Sequence, residues 1–313
     1  MNTNLPDTGA HRLPGLQPEG AWTGSTIDNE LDRPVRIHSL GRFSVQLHRQ
    51  AVTGGVKARN QRPLELLQAL IAFGGRGVHA ELLSQALWPD AEGDKAQNAF
   101  DVTLHRLRQL IGLKGLFLVH DRRLTLNSDL AWVDAWAFER AVNHAERLLN
   151  RFDQPLSVRE LAHSEERILA LYQGAFLERE ATRTWALSLR ERLRSKLLRH
   201  IAEAGRAWES AGEWDRAVHY YHRGLEIDPL IEALYQRLMH CFRATGRIAE
   251  ALATYQRCRA VLAEQFQIEP SPATREKCGL EPVSYSRASR VAPWGKSAAV
   301  AGDYEIGCSP CRE

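Results

Sequence analysis

The C-terminal half of the chain contains an internal repeat with a period of 34 residues. The residues that recur are Gly212 and Gly246, Ala217 and Ala251, and Tyr221 and Tyr255. A period of 34 is typical of tetratricopeptide repeats, in which a pair of helices buries its apolar face only by stacking against the next pair. The repeat therefore predicts stacked α-helical pairs in this part of the chain.

Helical patterning extends upstream of the repeat. Apolar residues spaced by three and four predict amphipathic helices over residues 138–149, 158–171 and 183–200. The second copy of the repeat is the looser one, because Met239 stands where a small residue is expected. Together these helices predict a short tetratricopeptide-like solenoid over residues 135–278.

The preceding hundred residues, 33–134, have a different pattern and predict a separate domain. Val35 and Ile37, followed by Phe43, Val45 and Leu47, alternate with polar residues, which indicates an antiparallel strand pair. The elements predicted after this pair are helices over 64–73, 80–87 and 95–111 and hairpin strands over 116–119 and 124–126. This order predicts a winged helix-turn-helix, so the fold class is mainly α with a small β component.

The third of these helices is the candidate DNA-reading element. Its polar face carries Gln97, Asn98, Asp101, His105, Arg106, Arg108 and Gln109. A helix fits the major groove of duplex DNA, where Asn, Gln and Arg side chains read base edges through paired hydrogen bonds. Asp101 could accept a hydrogen bond from a cytosine amino group or pair with a nearby arginine. The alternative interpretation is an ordinary solvated face, because exposed helices are usually polar.

Basic residues around this helix are candidates for contacts with DNA phosphates. They are Arg122 and Arg123 at the tip of the predicted hairpin, and Lys57, Arg59, Arg62 and Lys95 near helix starts. Residues 33–134 contain 14 Lys and Arg against 9 Asp and Glu, whereas the whole chain has a formal net charge of +3. The excess of positive charge supports a nucleic-acid partner without establishing one.

Several stretches resemble one known family, in the family's own order. The segments ELLSQALWPD (81–90) and AQNAFDVTLHRLRQLIG (96–112) resemble the OmpR/PhoB-type winged helix of SARP-like regulators. The segment IDPLIEALYQRLMHCFRATGRIAEALATYQRCRAVLAEQFQIEPSPATR (227–275) resembles the bacterial transcriptional activator domain of the same proteins. With their flanking residues, these matches extend over about residues 34–277.

The resemblance implies sequence-specific binding to double-stranded promoter DNA, often at direct repeats, and help in recruiting RNA polymerase. It implies that residues 135–278 act as an effector or oligomerisation domain, through self-association or a protein partner. The chain departs from the family pattern at the hairpin tip, where His120-Asp121-Arg122-Arg123 replaces the usual glycine-and-tyrosine turn. Neither a receiver domain nor a nucleotide-binding ATPase module is evident, so the activating signal is not visible.

Other functional classes have little support in the sequence. Gly295-Lys296-Ser297 is not the end of a phosphate-binding loop, because Arg290 stands where the loop needs its first glycine. Cys308 and Cys311 offer two ligands in a segment without histidine, so we expect no metal site. The remaining histidines and carboxylates form no catalytic spacing, and we expect a protein without enzymatic activity or a cofactor.

The sequence also gives predictions for the two terminal segments and for the cellular location of the protein. Residues 1–32 and 279–313 are rich in turn-forming and polar residues and are predicted to be a disordered leader and tail. Apolar runs are too short to span a bilayer, no signal peptide is evident, and the five cysteines are sparse, which predicts a cytoplasmic protein without membrane contact. The alternative function is a helical-repeat scaffold for protein partners, with a winged helix that does not bind DNA.

Overall fold

The computed structural model describes residues 32–52, 61–91, 93–150, 158–180 and 182–278. Among the residues singled out above, Lys57, Arg59, Cys308 and Cys311 lie outside this part of the chain, as do the predicted tail and nearly all of the predicted leader. The described residues are mainly helical with a small β component, so the predicted fold class is confirmed.

A four-stranded sheet begins the fold. Its strands are β1 (Val35–His38), β2 (Ser44–Leu47), β3 (Gln50–Ala51) and, much later in the chain, β7 (Ala131–Val133), in the order β3-β2-β1-β7. β1 and β2 are antiparallel with Ile37 opposite Val45, which confirms the predicted pair. β7 runs parallel to β1 and was not predicted.

Three helices and a second, three-stranded sheet complete the winged helix. The helices are α1 (Gln61–Ala72), α2 (Ala80–Leu87) and α3 (Gly93–Ile111), and the strands are β4 (Val78–His79), β5 (Phe117–His120) and β6 (Arg123–Leu126), in the order β4-β6-β5. Leu66, Leu70 and Leu107 are completely buried where α1 packs against α3. The hairpin β5–β6 is joined by Asp121 and Arg122, which both have positive φ, as a two-residue type I′ turn requires.

Seven helices form the second half of the described chain. They are α4 (Asp134–Leu149), α5 (Val158–Leu171), α6 (Thr184–Ser210), α7 (Trp214–Ile227), α8 (Glu232–Ala244), α9 (Ile248–Phe266) and α10 (Pro272–Cys278). Each of α6 to α9 packs against the next, so the repeat does produce stacked helices. The bounds of α5 are those predicted, whereas α6 extends ten residues beyond the predicted end at His200.

The extra length of α6 carries the closest helix contact of the repeat. Gly205 lies inside α6, and a Cβ atom added there would lie 2.3 Å from Cε1 of Tyr221 on α7. Both residues are buried, and the Tyr221 hydroxyl donates a hydrogen bond to the buried Glu209 carboxylate. The predicted small residue of the repeat thus allows α6 and α7 to pack at close range. In the second copy, Met239 is buried at the corresponding position.

The winged helix and the helical half are joined by buried hydrogen bonds. The carboxylate of Asp134, the first residue of α4, accepts hydrogen bonds from the backbone N–H groups of Ser39 and Leu40 at 2.7 and 2.8 Å and from the Ser39 hydroxyl at 2.6 Å. The chain just after β1 also pairs with the α5–α6 connection, through the backbone of Leu40 and Phe176. One continuous apolar core therefore runs through both halves.

Side-chain contacts reinforce this junction. Glu65 of α1 is buried and pairs with Arg183, the residue that precedes α6. Gly75, which follows α1 with a positive φ, lies so close to the Trp136 ring of α4 that an added Cβ would approach it to 2.2 Å. These contacts fix the orientation of the winged helix relative to the helical half.

A buried polar cluster lies among α5, α6 and α7. The indole N–H of Trp208 donates a 2.7 Å hydrogen bond to Glu165, which is almost completely buried. Burial raises the pKa of Glu165 to about 8, although the bond from Trp208 acts in the opposite direction. The hydroxyl of buried Tyr220 lies close to the same carboxyl group and also acts to lower its pKa. Burial therefore favours the neutral form of the Glu165 carboxyl group in the folded chain.

Candidate nucleic-acid interface

The helix α3 has one face in the core and one in solvent. Phe100, Leu104, Leu107 and Ile111 are buried against the rest of the winged helix. The opposite face consists of exposed residues at helical spacing, namely Lys95, Asn98, Val102, His105, Arg106 and Gln109. Because the apolar side anchors α3, the exposed side is presented as a fixed surface.

Val102 lies at the centre of this exposed face and is the residue that sequence reasoning missed. Its side chain is 49% exposed although it is apolar, and Asn98, His105 and Gln109 flank it at spacings of four, three and seven. In the major groove, an apolar side chain at such a position can contact the C5-methyl group of thymine. The helical spacing places Val102 on this face, but the prediction covered only polar side chains.

The polar residues predicted to read bases differ in how they are held. Arg106 is exposed and has no hydrogen bond or ion pair with the residues that the structure describes. Gln97 donates a 3.1 Å hydrogen bond to Asp101, and the side chains of His105 and Gln109 are 2.9 Å apart. Asp101 therefore has an amide partner on its own helix and pairs with no arginine of the described residues.

Arg108 has a different position from Arg106. Its guanidinium group donates a 3.1 Å hydrogen bond to the carbonyl oxygen of Phe117, at the start of β5. This bond connects α3 to the hairpin. In this structure, Arg108 orients the hairpin relative to α3, which is a supporting role that the sequence did not suggest.

The hairpin tip contains two arginines that differ in their hydrogen bonds. Arg122 is exposed, while its backbone carbonyl accepts a hydrogen bond from the N–H of Ala80 at the start of α2. Arg123 is exposed too, and its guanidinium group donates to the Gly77 carbonyl at 3.1 Å. The tip is thus attached to the helix-turn-helix through both residues, and both arginine side chains are exposed.

Of the other residues predicted to contact DNA phosphates, Arg62 has partners within the fold and Lys95 is exposed. Arg62 pairs with Glu65 at 2.9 Å and donates to the carbonyl of Leu87 at 3.3 Å, so it ties the start of α1 to the end of α2. Lys95 is exposed in the first turn of α3. The DNA contacts of these residues stay predictions.

Within the described residues, no group of three or more His, Cys, Asp or Glu side chains is placed to hold a metal ion. The helices of that same part of the chain include none that is long and apolar enough to cross a membrane.

Comparison with known proteins identifies the helical half. Residues 133–277 match the family model described as the bacterial transcriptional activator domain. The chain is 30% identical over 220 residues to the regulatory protein AfsR of Streptomyces griseus, covering 67% of this chain and 21% of that protein. It is 27% identical over 274 residues to AfsR of Streptomyces coelicolor, covering 83% of this chain and 25% of that protein. The chain thus matches only a quarter or less of the length of these relatives.

A solved structure shares the fold. The chain superposes on Mycobacterium tuberculosis EmbR, determined in complex with a low affinity phosphopeptide, with a TM-score of 0.60. The match covers 79% of this chain and 65% of that one, at 18% sequence identity. At this level of identity the likeness concerns the fold, and it supports the arrangement of a winged helix followed by a helical activator domain.

Proposed function

Because the chain is a SARP-like transcriptional regulator by family, we propose that it regulates transcription by binding duplex DNA through α3 and the hairpin β5–β6. The observation that carries this proposal is the exposed face of α3. This face combines amide side chains, a central apolar side chain and Arg106, which has no partner among the residues that the structure describes, on a helix whose opposite face is anchored. This combination suits the major groove, in which donors, acceptors and thymine methyl groups are displayed together.

The winged helix supplies sequence reading in this proposal, and the helical half supplies contacts with proteins. We infer a DNA-binding domain over 33–134 and an effector domain over 135–278, with RNA polymerase, another protein or a second copy as its partner. The proposal that the chain activates transcription rests on the match of its helical half to the bacterial transcriptional activator domain. Binding to DNA phosphates is assigned to Arg122, Arg123 and Lys95, whose side chains are exposed around the same face.

The first test selects DNA sequences with the full chain from a library of random duplexes. We expect one motif to be enriched, and binding to that motif should weaken steeply as the salt concentration rises. Arg106→Ala should reduce affinity for the motif by about 10- to 100-fold and relax the base preference at one position, since a bidentate arginine contributes about 1–3 kcal/mol of discrimination.

The matched control for Arg106 is Arg206→Ala, which removes an exposed arginine from α6 and should leave DNA binding unchanged. If Arg106→Ala lowers the affinity for the selected motif and for unrelated duplexes by the same factor, Arg106 contacts a phosphate and does not read a base. Failure of folded full-length chain to enrich any motif would refute DNA reading and favour the scaffold alternative.

A second prediction concerns Val102. Replacing single thymines of the selected motif by deoxyuridine removes only the C5-methyl group, and we expect one such replacement to weaken binding of the unaltered chain several-fold. Val102→Ala should bind the thymine and deoxyuridine duplexes almost equally, because its truncated side chain no longer contacts the methyl group. Leu187→Ala, an exposed apolar truncation on α6, is the control and should retain the preference for thymine. An unchanged preference in Val102→Ala would show that Val102 does not face the groove.

A further inference from the structure

A cleft lies at the junction between the winged helix and the helical half. Its volume is about 510 Å³, which is in the range of small-molecule sites. The wall from the winged helix includes Arg42, Phe43 and Gln68, and the wall from the helical half includes Arg179 and Glu180. Residues of α3 and of the hairpin β5–β6 are not among its described lining residues, so the cleft is separate from the proposed DNA-reading face.

The charged groups of the cleft are not all neutralised by one another. Arg183 pairs with Glu65, and Glu65 also accepts from Arg62. Arg42 and Arg179, by contrast, are exposed and have no ion pair or hydrogen bond with the residues that the structure describes. Each half of the chain therefore contributes to the cleft lining one arginine that is not neutralised by the described residues. Planar guanidinium groups bind phosphate and carboxylate groups through paired hydrogen bonds.

Two further groups on the cleft walls lack a partner. Among the described residues, the amide oxygen of Gln68 and one carboxylate oxygen of Glu180 are buried and accept no hydrogen bond. Gln68 as a whole is only 5% exposed, so an unpartnered amide oxygen at this position is costly. A hydroxyl or amino group of an occupant would supply the missing donor, and half-buried Phe43 offers an apolar surface beside it.

We propose that this cleft binds a small anionic metabolite, whose phosphate or carboxylate group is held between Arg42 and Arg179 and whose hydroxyl or amino group donates to the Gln68 side. Such an occupant contacts both halves of the chain at once, so it would stabilise their junction. The proposal does not depend on DNA binding, because the residues involved belong to a different surface.

The test measures thermal unfolding of the full chain at constant ionic strength, with inorganic phosphate or citrate replacing sodium chloride. At least one of the two anions should raise the unfolding midpoint in a saturable manner. A response to phosphate alone assigns a phosphorylated ligand, and a response to citrate alone assigns a carboxylate ligand. Arg42→Ala combined with Arg179→Ala should abolish the rise, while the unfolding midpoint in sodium chloride stays close to that of the unaltered chain, because both side chains are exposed.

The control removes two exposed arginines elsewhere, Arg206→Ala with Arg275→Ala, and should retain the full response to the anion. The proposal is overturned if neither anion stabilises the unaltered chain beyond the matched sodium chloride sample. It is equally overturned if the Arg42 and Arg179 double variant responds as strongly as the unaltered chain, since the effect would then be a general one of the anion. Loss of DNA binding in the experiments above would leave this outcome unaffected.

Discussion

Asp134→Ala is expected to lower the free energy of unfolding by about 3 to 5 kcal/mol, because it removes the acceptor of several buried donors at once. The Asp134 carboxylate accepts hydrogen bonds from the backbone N–H groups of Ser39 and Leu40 and from the Ser39 hydroxyl. All three residues are almost completely buried, so water cannot take the place of the carboxylate. Burial raises the pKa of Asp134, and the hydrogen bonds from Leu40 and Ser39 oppose this effect.

The measurement is chemical denaturation of the full chain followed by circular dichroism. Asp129→Ala, the same substitution at an exposed position five residues earlier, is the matched control and should change stability by less than about 0.5 kcal/mol. If Asp134→Ala proved as mild as Asp129→Ala, the junction would not depend on this carboxylate. The loss should affect both halves of the chain together, since the bonds of Asp134 connect them.

The second large effect is a dependence of stability on pH that originates at Glu165. The pKa of this carboxyl group is about 8 in the folded chain and about 4.5 in the unfolded chain. The folded state therefore binds one proton more between these values, and the free energy of unfolding falls as pH rises from about 4.5 to about 8. A difference of this size corresponds to roughly 3 to 5 kcal/mol, because the side chain is nearly inaccessible to solvent.

Glu165→Gln should remove this dependence, because an amide does not ionise and its oxygen can still accept the hydrogen bond from Trp208. We expect the variant to be more stable than the unaltered chain at pH 9 and similar to it at pH 5, as measured by denaturation at both pH values. Glu166→Gln, at the exposed neighbouring position, should behave like the unaltered chain. A parallel pH dependence in Glu165→Gln and the unaltered chain would contradict the assignment.

His200 acts in the opposite direction at lower pH, and the comparison must account for it. Burial lowers the pKa of this histidine to about 4, and among the described residues neither ring nitrogen has a hydrogen-bond partner. Its contribution to stability is complete above pH 6.5 and is lost as pH falls toward 4. Because His200 is unchanged in Glu165→Gln, the difference between the variant and the unaltered chain isolates the effect of Glu165.

The sequence predicted most of the local structure because the signals were local. The helix α2 ends where Trp88-Pro89 prevents its continuation, and α1 ends before Gly74 and Gly75, which both adopt positive φ. The strand β7 could not be predicted in the same way. It has three residues, and its partner β1 lies almost a hundred residues away, so its position depends on long-range pairing.

The sequence predicted which face of α3 forms the candidate site, but it did not predict which residues of that face have partners within the fold. Helical periodicity separates the polar face of α3 from the apolar one. It cannot show that Arg108 is bonded to the hairpin while Arg106 has no partner within the described part of the chain. The same limitation concealed Arg62, whose partners Glu65 and Leu87 are on two different helices. Because the prediction was limited to polar side chains, it also excluded Val102, which is exposed in the folded chain.

The join between β7 and α4 has a consequence for how such a chain would be oriented on a promoter. The last strand of the N-terminal sheet continues directly into the first helix of the activator domain, and Asp134 ties that helix back to the end of β1. A chain bound through α3 would therefore project its activator domain from the duplex in one fixed direction. Since B-DNA turns once in about 10 base pairs, displacing the binding site by half a turn would carry that domain to the opposite side of the double helix.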